Sequence, residues 1–158
     1  LFHASFSALN TAKESFHEAT TTYGYDEFAL EAFYEEFLSL LTSLSNSTTT
    51  QNDLHRRLNE EGGTADYCTW YMRVLTACKL KSDPDRFAAF LCFEDGTGAG
   101  EYVHNPHLSS SENIADFCLR DVEPMGRECT MVQVLALAEI MKVSVAIEYL
   151  DGRRCWLP

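Results

Sequence analysis

Basic residues are scarce in this sequence, and long apolar runs are absent. There are 12 Lys and Arg against 24 Asp and Glu among 158 residues, so the formal net charge is −12. Without a basic stripe to neutralise phosphates, the chain is not expected to bind nucleic acid or an anionic membrane surface. No run approaches the roughly 18 apolar residues that a membrane span needs. Composition therefore argues against nucleic acid and membrane as partners. The acidic surface either serves solubility alone, which is the more common case, or attracts a basic protein.

The six cysteines lack the spacing of a metal site, since no two of them form a Cys-x-x-Cys pair. Cys68, Cys78 and Cys118 fall in apolar helical patterns, where a buried reduced thiol is the usual state. His104 and His107 flank a proline that prevents a regular helix, so we expect them in a solvated loop rather than a metal site. The sequence thus predicts a disulfide-free intracellular protein of the cytoplasm, and also of the nucleus.

Hydrophobic residues make up 46% of the chain and aromatic residues 12%, enough for one sizeable core. We therefore predict a single domain over residues 1–158. The clearest helix is predicted for residues 26–44, with Asp26 as its N-cap. Residues 65–80 are apolar nearly all round, which indicates a central buried helix. The core stripe predicted for the 26–44 helix comprises Phe33, Phe37, Leu40 and Leu44.

Shorter helices are predicted from apolar spacing and from capping signals. One is expected to stop at Gly62-Gly63, and Pro84 begins another. Residues 94–111 are rich in Gly, Ser and Asn, so we predict an irregular insertion there. Ser109 with Glu112 forms a capping box for the helix that follows. The residues of the Pro84 helix that are expected to pack inward are Phe87, Phe90 and Leu91.

The C-terminal end carries the signals of a small sheet. A short apolar helix starts near Cys129 or Thr130. From Val143 to Tyr149, apolar and polar residues alternate as in a strand with one buried face. Asp151-Gly152 favours a tight turn, after which the chain doubles back in a strand that carries Trp156. The predicted class is therefore α+β, a helix-rich chain in which a small sheet begins at the C-terminal end.

The stretch 117–151 also contains short motifs in a fixed order. They are Phe117-Cys118, Val122-Glu123-Pro124-Met125, Glu128-Cys129, Ala136-Leu137-Ala138, Val143-Ser144-Val145 and Glu148-Tyr149-Leu150-Asp151. In order and spacing this stretch resembles the otubains, cysteine deubiquitinases of the ovarian tumour (OTU) superfamily, also classed as peptidase C65. Residues 71–76 resemble the family's central helix. Gly24-Tyr25 with Phe28 resembles the start of its ubiquitin-facing helical arm, which would span residues 20–62.

The otubain nucleophile is the cysteine of an Asp-Gly-Asn-Cys motif at the head of a helix, where the helix dipole favours a thiolate. Its partner is a histidine on a C-terminal strand. Leu1-Phe2-His3-Ala4 resembles what directly follows that cysteine. The resemblance therefore implies a fragment, a partial otubain-like domain with the nucleophilic cysteine before Leu1 and the histidine after Pro158. The chain departs from the family in its longer 94–111 insertion, and in Thr130 and Met131, which replace an Asp and a His.

Glu128 is the one residue whose role the resemblance implies. It matches the acidic residue that hydrogen-bonds the polar partner of the catalytic histidine, and so it would help to orient that histidine. The residues alone allow a second interpretation, a glutamate in the first turn of the following helix, favoured there by the helix dipole. Glu123, Pro124 and Met125 are expected to shape the loop beneath the site.

The resemblance implies an OTU-like fold and a ubiquitin thioesterase or isopeptidase, present here without its nucleophile and therefore inactive by itself. Such an enzyme acts on ubiquitin or polyubiquitin through a thiolate, without metal or cofactor. A ubiquitin-conjugating enzyme is a further implied partner. One alternative is a catalytically inactive module that binds ubiquitin or a conjugating enzyme. Another is a structural domain that keeps only the inherited fold.

Overall fold

The computed structural model describes residues 6–45, 50–60, 63–91, 104–142, 144–148 and 154–157. In these ranges, helices are followed by two short strands, which confirms the predicted α+β class. The helices are α1 (Phe6–Thr21), α2 (Glu27–Ser45), α3 (Gln51–Asn59), α4 (Thr64–Ser82), α5 (Pro84–Leu91), α6 (Ser110–Phe117) and α7 (Met131–Met141), and the strands are β1 (Val145–Glu148) and β2 (Arg154–Leu157). The chain divides into two compact units, Leu1–Leu75 and Thr76–Pro158.

Helix α2 of the first unit is the predicted 26–44 helix. The Asp26 carboxylate accepts a hydrogen bond from the Ala29 N–H at 2.7 Å, which confirms Asp26 as the cap. Helix α2 packs against α1 and buries Leu30 completely. Of the predicted core stripe, Phe37 is buried, Phe33 and Leu40 are half-buried, and the Leu44 side chain lies outside the described residues.

Aromatic contacts join α2 to α4 within the first unit. The Phe33 and Trp70 rings stack with their centroids 4.2 Å apart, and Phe37 contacts Tyr71 at 5.2 Å. Tyr71 is fully buried, since the α4 surface is apolar nearly all round. The prediction of a buried helix over residues 65–80 is therefore confirmed.

Helix α3 ends at Asn59, so the predicted stop at Gly62-Gly63 is wrong. Glu60 already has the extended conformation, with φ −73° and ψ 125°. Two basic residues occupy the last turn, where a positive charge complements the partial negative charge of the helix C-terminus. Gly62 itself lies outside the described residues.

The core of the second unit is built from α5, α6, α7 and a single π-helical turn, Cys118–Val122, that follows α6. Pro84 begins α5, as predicted, and Phe87 and Leu91 are buried. Phe90 is 44% exposed, so its predicted inward position is wrong. Phe87 and Leu91 lie four residues apart on one face, whereas Phe90 falls to the side of that stripe. The buried cluster comprises Ala77, Leu80, Phe87, Ala88, Leu91, Ile114, Phe117, Cys118, Val122, Val132 and Ala136.

Ser109 caps α6 through the predicted capping box with Glu112. Because α6 begins at Ser110, the last two residues of the stretch predicted as an irregular insertion are helical, and residues 104–109 form its described, non-helical part. The fully buried Asn113 side chain anchors this part: it accepts from the Asn105 N–H at 2.7 Å and donates to the Asn105 carbonyl at 3.0 Å. His104 is half-buried with its Nε2 3.4 Å from the Asn113 amide nitrogen, whereas His107 is exposed.

Helix α7 follows Thr130, one of the two predicted starts, and ends at Lys142 in the left-handed conformation, with φ 52°. The two strands then pair antiparallel, so the predicted return strand is confirmed. The predicted strand ends Val143 and Tyr149, and the Asp151-Gly152 turn, lie outside the described residues. The paired positions are Val145 with Leu157, Ala146 with Trp156, Ile147 with Cys155 and Glu148 with Arg154.

Candidate functional site

Residues 123–130 join the π-helical turn to α7 and contain Glu128. We call them the connecting segment. Buried Cys118 and Val122 fix the turn from which the segment leaves. The Cys118 thiol contacts the Ala77 carbonyl at 3.8 Å, and the Glu123 N–H donates to the Cys118 carbonyl at 2.9 Å, which closes the turn. The segment therefore starts from a rigid point of the second unit's core.

An ion pair holds the first residue of the connecting segment. The Lys81 ammonium lies 2.9 Å from the Glu123 carboxylate, and each side chain is only about one quarter exposed, at 25% and 24%. Partial burial reduces solvent screening of the pair. Lys81 is in the last turn of α4, so the pair ties the segment to the end of that helix. The expectation that Glu123 shapes the loop now has a physical basis in this contact.

The middle of the segment turns at Gly126, which has φ 79°. In that left-handed region a Cβ clashes with the following carbonyl oxygen, so glycine is favoured. Met125, just before the turn, is 45% exposed. The turn directs the chain towards Thr130 and the start of α7.

The Gln133 side chain connects Thr130, the last residue of the segment, to Asp121 in the preceding turn. Gln133 was not identified as a functional residue from the sequence. Its side-chain amide donates to the Asp121 carbonyl at 3.3 Å, and its side-chain oxygen accepts from the Thr130 N–H at 3.3 Å. The residue is 1% exposed, and the other buried residues of the helix are apolar. The signal available in the sequence was the spacing of Thr130 and Gln133, which is that of a capping box.

Glu128 lies exposed on the connecting segment, next to exposed Cys129. It precedes Thr130, the cap residue of α7, by two positions, so the alternative interpretation as a first-turn glutamate is wrong. An exposed carboxylate on a segment fixed at both ends is available to hydrogen-bond a neighbouring group. The role implied for Glu128 as an orienting residue stays a prediction.

Two of the thiols in this chain are poorly suited to act as nucleophiles. Burial raises the pKa of Cys118 to about 12. Burial, together with the nearby Glu36 carboxylate, raises the pKa of Cys68 to about 11. Both thiols are therefore protonated at neutral pH, and the thiolate is the reactive form.

The part of the chain that the structure describes also bears on metal binding and on membrane insertion. There, no three His, Cys, Asp or Glu side chains come together in an arrangement that could hold a metal ion. Within the same ranges, no helix combines the length and apolar character needed to cross a bilayer.

The outer face of α2 carries a separate set of exposed residues, within the stretch predicted as the ubiquitin-facing arm. Phe28 is 86% exposed. Three glutamates at four-residue spacing, Glu27, Glu31 and Glu35, lie exposed on the same helix. An exposed aromatic ring beside a row of carboxylates is suited to a partner with a basic, partly apolar surface.

Two solved structures that contain OTUB1 have a fold similar to that of this chain. The structure of h/ceOTUB1 with ubiquitin aldehyde and UBCH5B~Ub matches 96% of this chain and 55% of that chain, with a TM-score of 0.72 and 18% identity. The structure of ceOTUB1 with ubiquitin aldehyde and UBC13~Ub matches 96% of this chain and 56% of that chain, with a TM-score of 0.70 and 16% identity. These similarities show that the chain shares the fold of these OTUB1 structures.

The family follows from the sequence match. The model of the otubain family, Peptidase C65, matches residues 4–156, so the chain belongs to the otubain family. Human ubiquitin thioesterase OTUB1 is 28% identical over 134 residues, which are 85% of this chain and 42% of that protein. The Arabidopsis thaliana ovarian tumour domain-containing deubiquitinating enzyme 1 is 27% identical over 134 residues, 84% of this chain and 39% of that protein. The chain spans less than half the length of these relatives.

Proposed function

We propose that the complete protein is a cysteine-type deubiquitinase that hydrolyses the isopeptide bond after the C-terminal glycine of ubiquitin. The observation that carries this proposal is the otubain family match over residues 4–156. The implied partners are ubiquitin or polyubiquitin and a ubiquitin-conjugating enzyme. Related proteins have been solved with ubiquitin aldehyde and UBC13~Ub, which supports both partners. Cytoplasm and nucleus are the proposed compartments, where buried thiols such as Cys68 stay reduced.

In the proposed mechanism, a thiolate activated by histidine attacks the carbonyl carbon of the isopeptide bond. Backbone amides stabilise the oxyanion, the protonated amine leaves, and water hydrolyses the resulting thioester. This chain would contribute the connecting segment, on which Glu128 hydrogen-bonds the polar group that orients the histidine. Glu128 would act through that group and would not contact ubiquitin.

The test uses the complete protein with a fluorogenic ubiquitin conjugate as substrate. We expect hydrolysis that is abolished when the cysteine of the Asp-Gly-Asn-Cys motif is replaced by alanine. A complete protein that binds ubiquitin but does not release the fluorophore would contradict the proposal. Ubiquitin with its last glycine removed serves as the control ligand, because it lacks the bond to be cleaved.

A catalytically inactive ubiquitin-binding module is the second candidate, and the outer face of α2 is the observation that favours it. Phe28 and the row of glutamates there offer an apolar contact and negative charge without any catalytic group. We expect a weak, salt-sensitive interaction detectable by chemical-shift changes in labelled ubiquitin. Phe28→Ala should remove those changes, whereas replacement of exposed Thr42 by alanine on the same helix should preserve them. Binding by a complete protein that lacks hydrolysis would favour the module.

A further inference from the structure

Gln133 is a polar side chain that is buried among apolar residues. It is 1% exposed, and it lies in the first turn of α7, where its neighbours Val132 and Ala136 are buried apolar residues. Burying an amide side chain costs free energy unless its donor and acceptor are both satisfied. Gln133 meets this need at the N3 position of the α7 capping box, where it accepts from the Thr130 N–H, and its second hydrogen bond reaches outside the helix to the Asp121 carbonyl.

Gln133 uses one polar atom on the connecting segment and the other on the π-helical turn that precedes it. The nitrogen donates to the carbonyl of Asp121, just before the segment, and the oxygen accepts from the N–H of Thr130, its last residue. One rigid, buried group thus fixes the distance between the two ends. The Lys81–Glu123 ion pair, at 2.9 Å, holds the segment at a third point. Glu128 lies between these anchors.

We infer that Gln133 is a positioning residue, which acts through the backbone of the connecting segment to set the location of Glu128. This inference rests on the proposed function. Gln133 is buried and would not contact ubiquitin or the reacting atoms. Its effect on the reaction would arise because the Glu128 carboxylate must lie within hydrogen-bond distance of the group that orients the histidine.

The side-chain chemistry suggests two variants with different expected results. Gln133→Met keeps the length of the side chain but removes donor and acceptor. Gln133→Glu keeps the acceptor for the Thr130 N–H and removes the donor to the Asp121 carbonyl. The carboxyl group introduced by Gln133→Glu would donate again once it is protonated, so the kcat of this variant relative to wild type should rise as the pH falls.

The experiment measures kcat, KM and amide hydrogen exchange for the complete protein and its variants on a fluorogenic ubiquitin substrate. We expect Gln133→Met to lower kcat about tenfold with KM changed less than about twofold. Exchange of the Thr130 amide should accelerate about fivefold, the ratio expected for one lost hydrogen bond. Combining Gln133→Met with Glu128→Gln should give a kcat no lower than that of Glu128→Gln alone, because both changes act through one group.

Ala136→Gly is the matched control for stability, since it weakens the same helix and removes no hydrogen-bonding side chain. Its kcat per folded molecule should match wild type. The inference is overturned if Gln133→Met leaves kcat unchanged, if its effect multiplies with that of Glu128→Gln, or if Ala136→Gly lowers kcat equally. A kcat of Gln133→Glu that does not recover at lower pH also contradicts the inference. This variant provides the test if Gln133→Met does not fold. If the wild-type protein does not hydrolyse the ubiquitin substrate, both the proposed function and the inference are refuted. If the wild type is active and only the variants differ from the expected results, the inference alone is refuted.

Discussion

At the scale of single residues, the connecting segment shows how backbone geometry can place an exposed carboxylate. Glu128 lies on the surface, but the residues around it are fixed by a left-handed glycine, an ion pair and a buried amide. Each of these contacts restricts the path of the chain on both sides of Glu128. The carboxylate is thereby held without being buried itself, which avoids the cost of desolvating a charge.

Glu128→Gln in the complete protein should lower kcat by about ten- to a hundredfold, because the histidine would lose a link in the chain of groups that orients it. Fold and ubiquitin affinity should hardly change, since the side chain is exposed and keeps its shape. Steady-state kinetics and thermal unfolding measure the two effects separately.

Glu123→Gln is the matched control for this prediction, since it lies on the same segment and can keep a hydrogen bond from Lys81. We expect a much smaller loss of kcat. Equal losses of kcat in the two variants would mean that the orienting role has been assigned to the wrong glutamate. A lower melting temperature for Glu128→Gln with intact kcat would show that Glu128 serves stability alone.

At the scale of elements, short helices derive their stability from a narrow apolar stripe. Helix α5 has only eight residues, too few to be stable by itself, and it is held by Phe87 and Leu91 in the buried cluster of the second unit. Phe90 lies beside that stripe and is partly exposed to solvent. This is why two phenylalanines on one helix differ so much in burial.

Phe87→Ala should therefore destabilise the protein by about 3–5 kcal/mol, the usual cost of truncating a buried phenylalanine. Phe90→Ala, on the same helix, removes the same side chain from a position that is 44% exposed. Its effect should be far smaller, about 1 kcal/mol or less. Urea unfolding followed by circular dichroism measures both. Similar losses of unfolding free energy in the two variants would contradict the conclusion that Phe87 is buried and Phe90 is not.

A charged contact also links elements of the second unit. Hydrogen bonds from Arg86 on α5 hold the pKa of Glu139 on α7 below its usual value. Lys79 on α4 lies 3.5 Å from the same carboxylate. Because the pKa is lowered on folding, the stabilisation is present at neutral pH and is lost as the pH falls through the lowered pKa.

Arg86→Met should reduce the free energy of unfolding by less than about 1 kcal/mol at pH 7, since Arg86 is 44% exposed at its side chain. The difference from wild type should shrink as the pH falls through the lowered pKa of Glu139, because the protonated side chain no longer attracts the guanidinium. Urea titrations at several pH values measure this. Arg56→Met removes a more exposed pair, at 67% and 55%, and should cost less. If the difference in unfolding free energy between Arg86→Met and wild type does not change with pH, the charge of Glu139 has no role in it.

At the scale of the whole molecule, the family membership and the residues present lead to different expectations for the complete protein and for this chain. The 158 residues contain no Asp-Gly-Asn-Cys motif. The buried thiols Cys68 and Cys118 have raised pKa values, so they are not activated nucleophiles. The chain therefore carries the fold and the connecting segment, but not the Asp-Gly-Asn-Cys motif in which the resemblance places the nucleophile.

The 158-residue chain should accordingly remain unlabelled by a ubiquitin probe that bears a C-terminal electrophile. Mass spectrometry of the intact chain after incubation measures this directly. The complete protein, treated in parallel, should gain the mass of one probe. Labelling of a single cysteine within the chain, dependent on folded ubiquitin, would contradict the prediction, and exposed Cys129 would be the first to replace.

Local patterns in the sequence determined most of the elements. Apolar periodicity indicated α2, α4 and α7, and capping residues such as Asp26 and Ser109 defined where helices begin. These signals are reliable because a cap and a stripe depend on residues within one or two turns. The predictions for the end of α3 and for the burial of Phe90 were wrong, because Glu60 already leaves the helical conformation and Phe90 lies beside the buried stripe of α5.

The contacts around Glu128 were decided by the tertiary structure. Gln133 and Asp121 are 12 residues apart, and Lys81 and Glu123 are 42 residues apart. No local pattern encodes which polar group a buried amide or a half-buried ammonium will meet, because many partners are equivalent in sequence. The order of motifs from Phe117 to Asp151 determined the family. The packing of α4, α7 and the π-helical turn decided which side chains hold the connecting segment, because only packing brings distant polar atoms within hydrogen-bond distance.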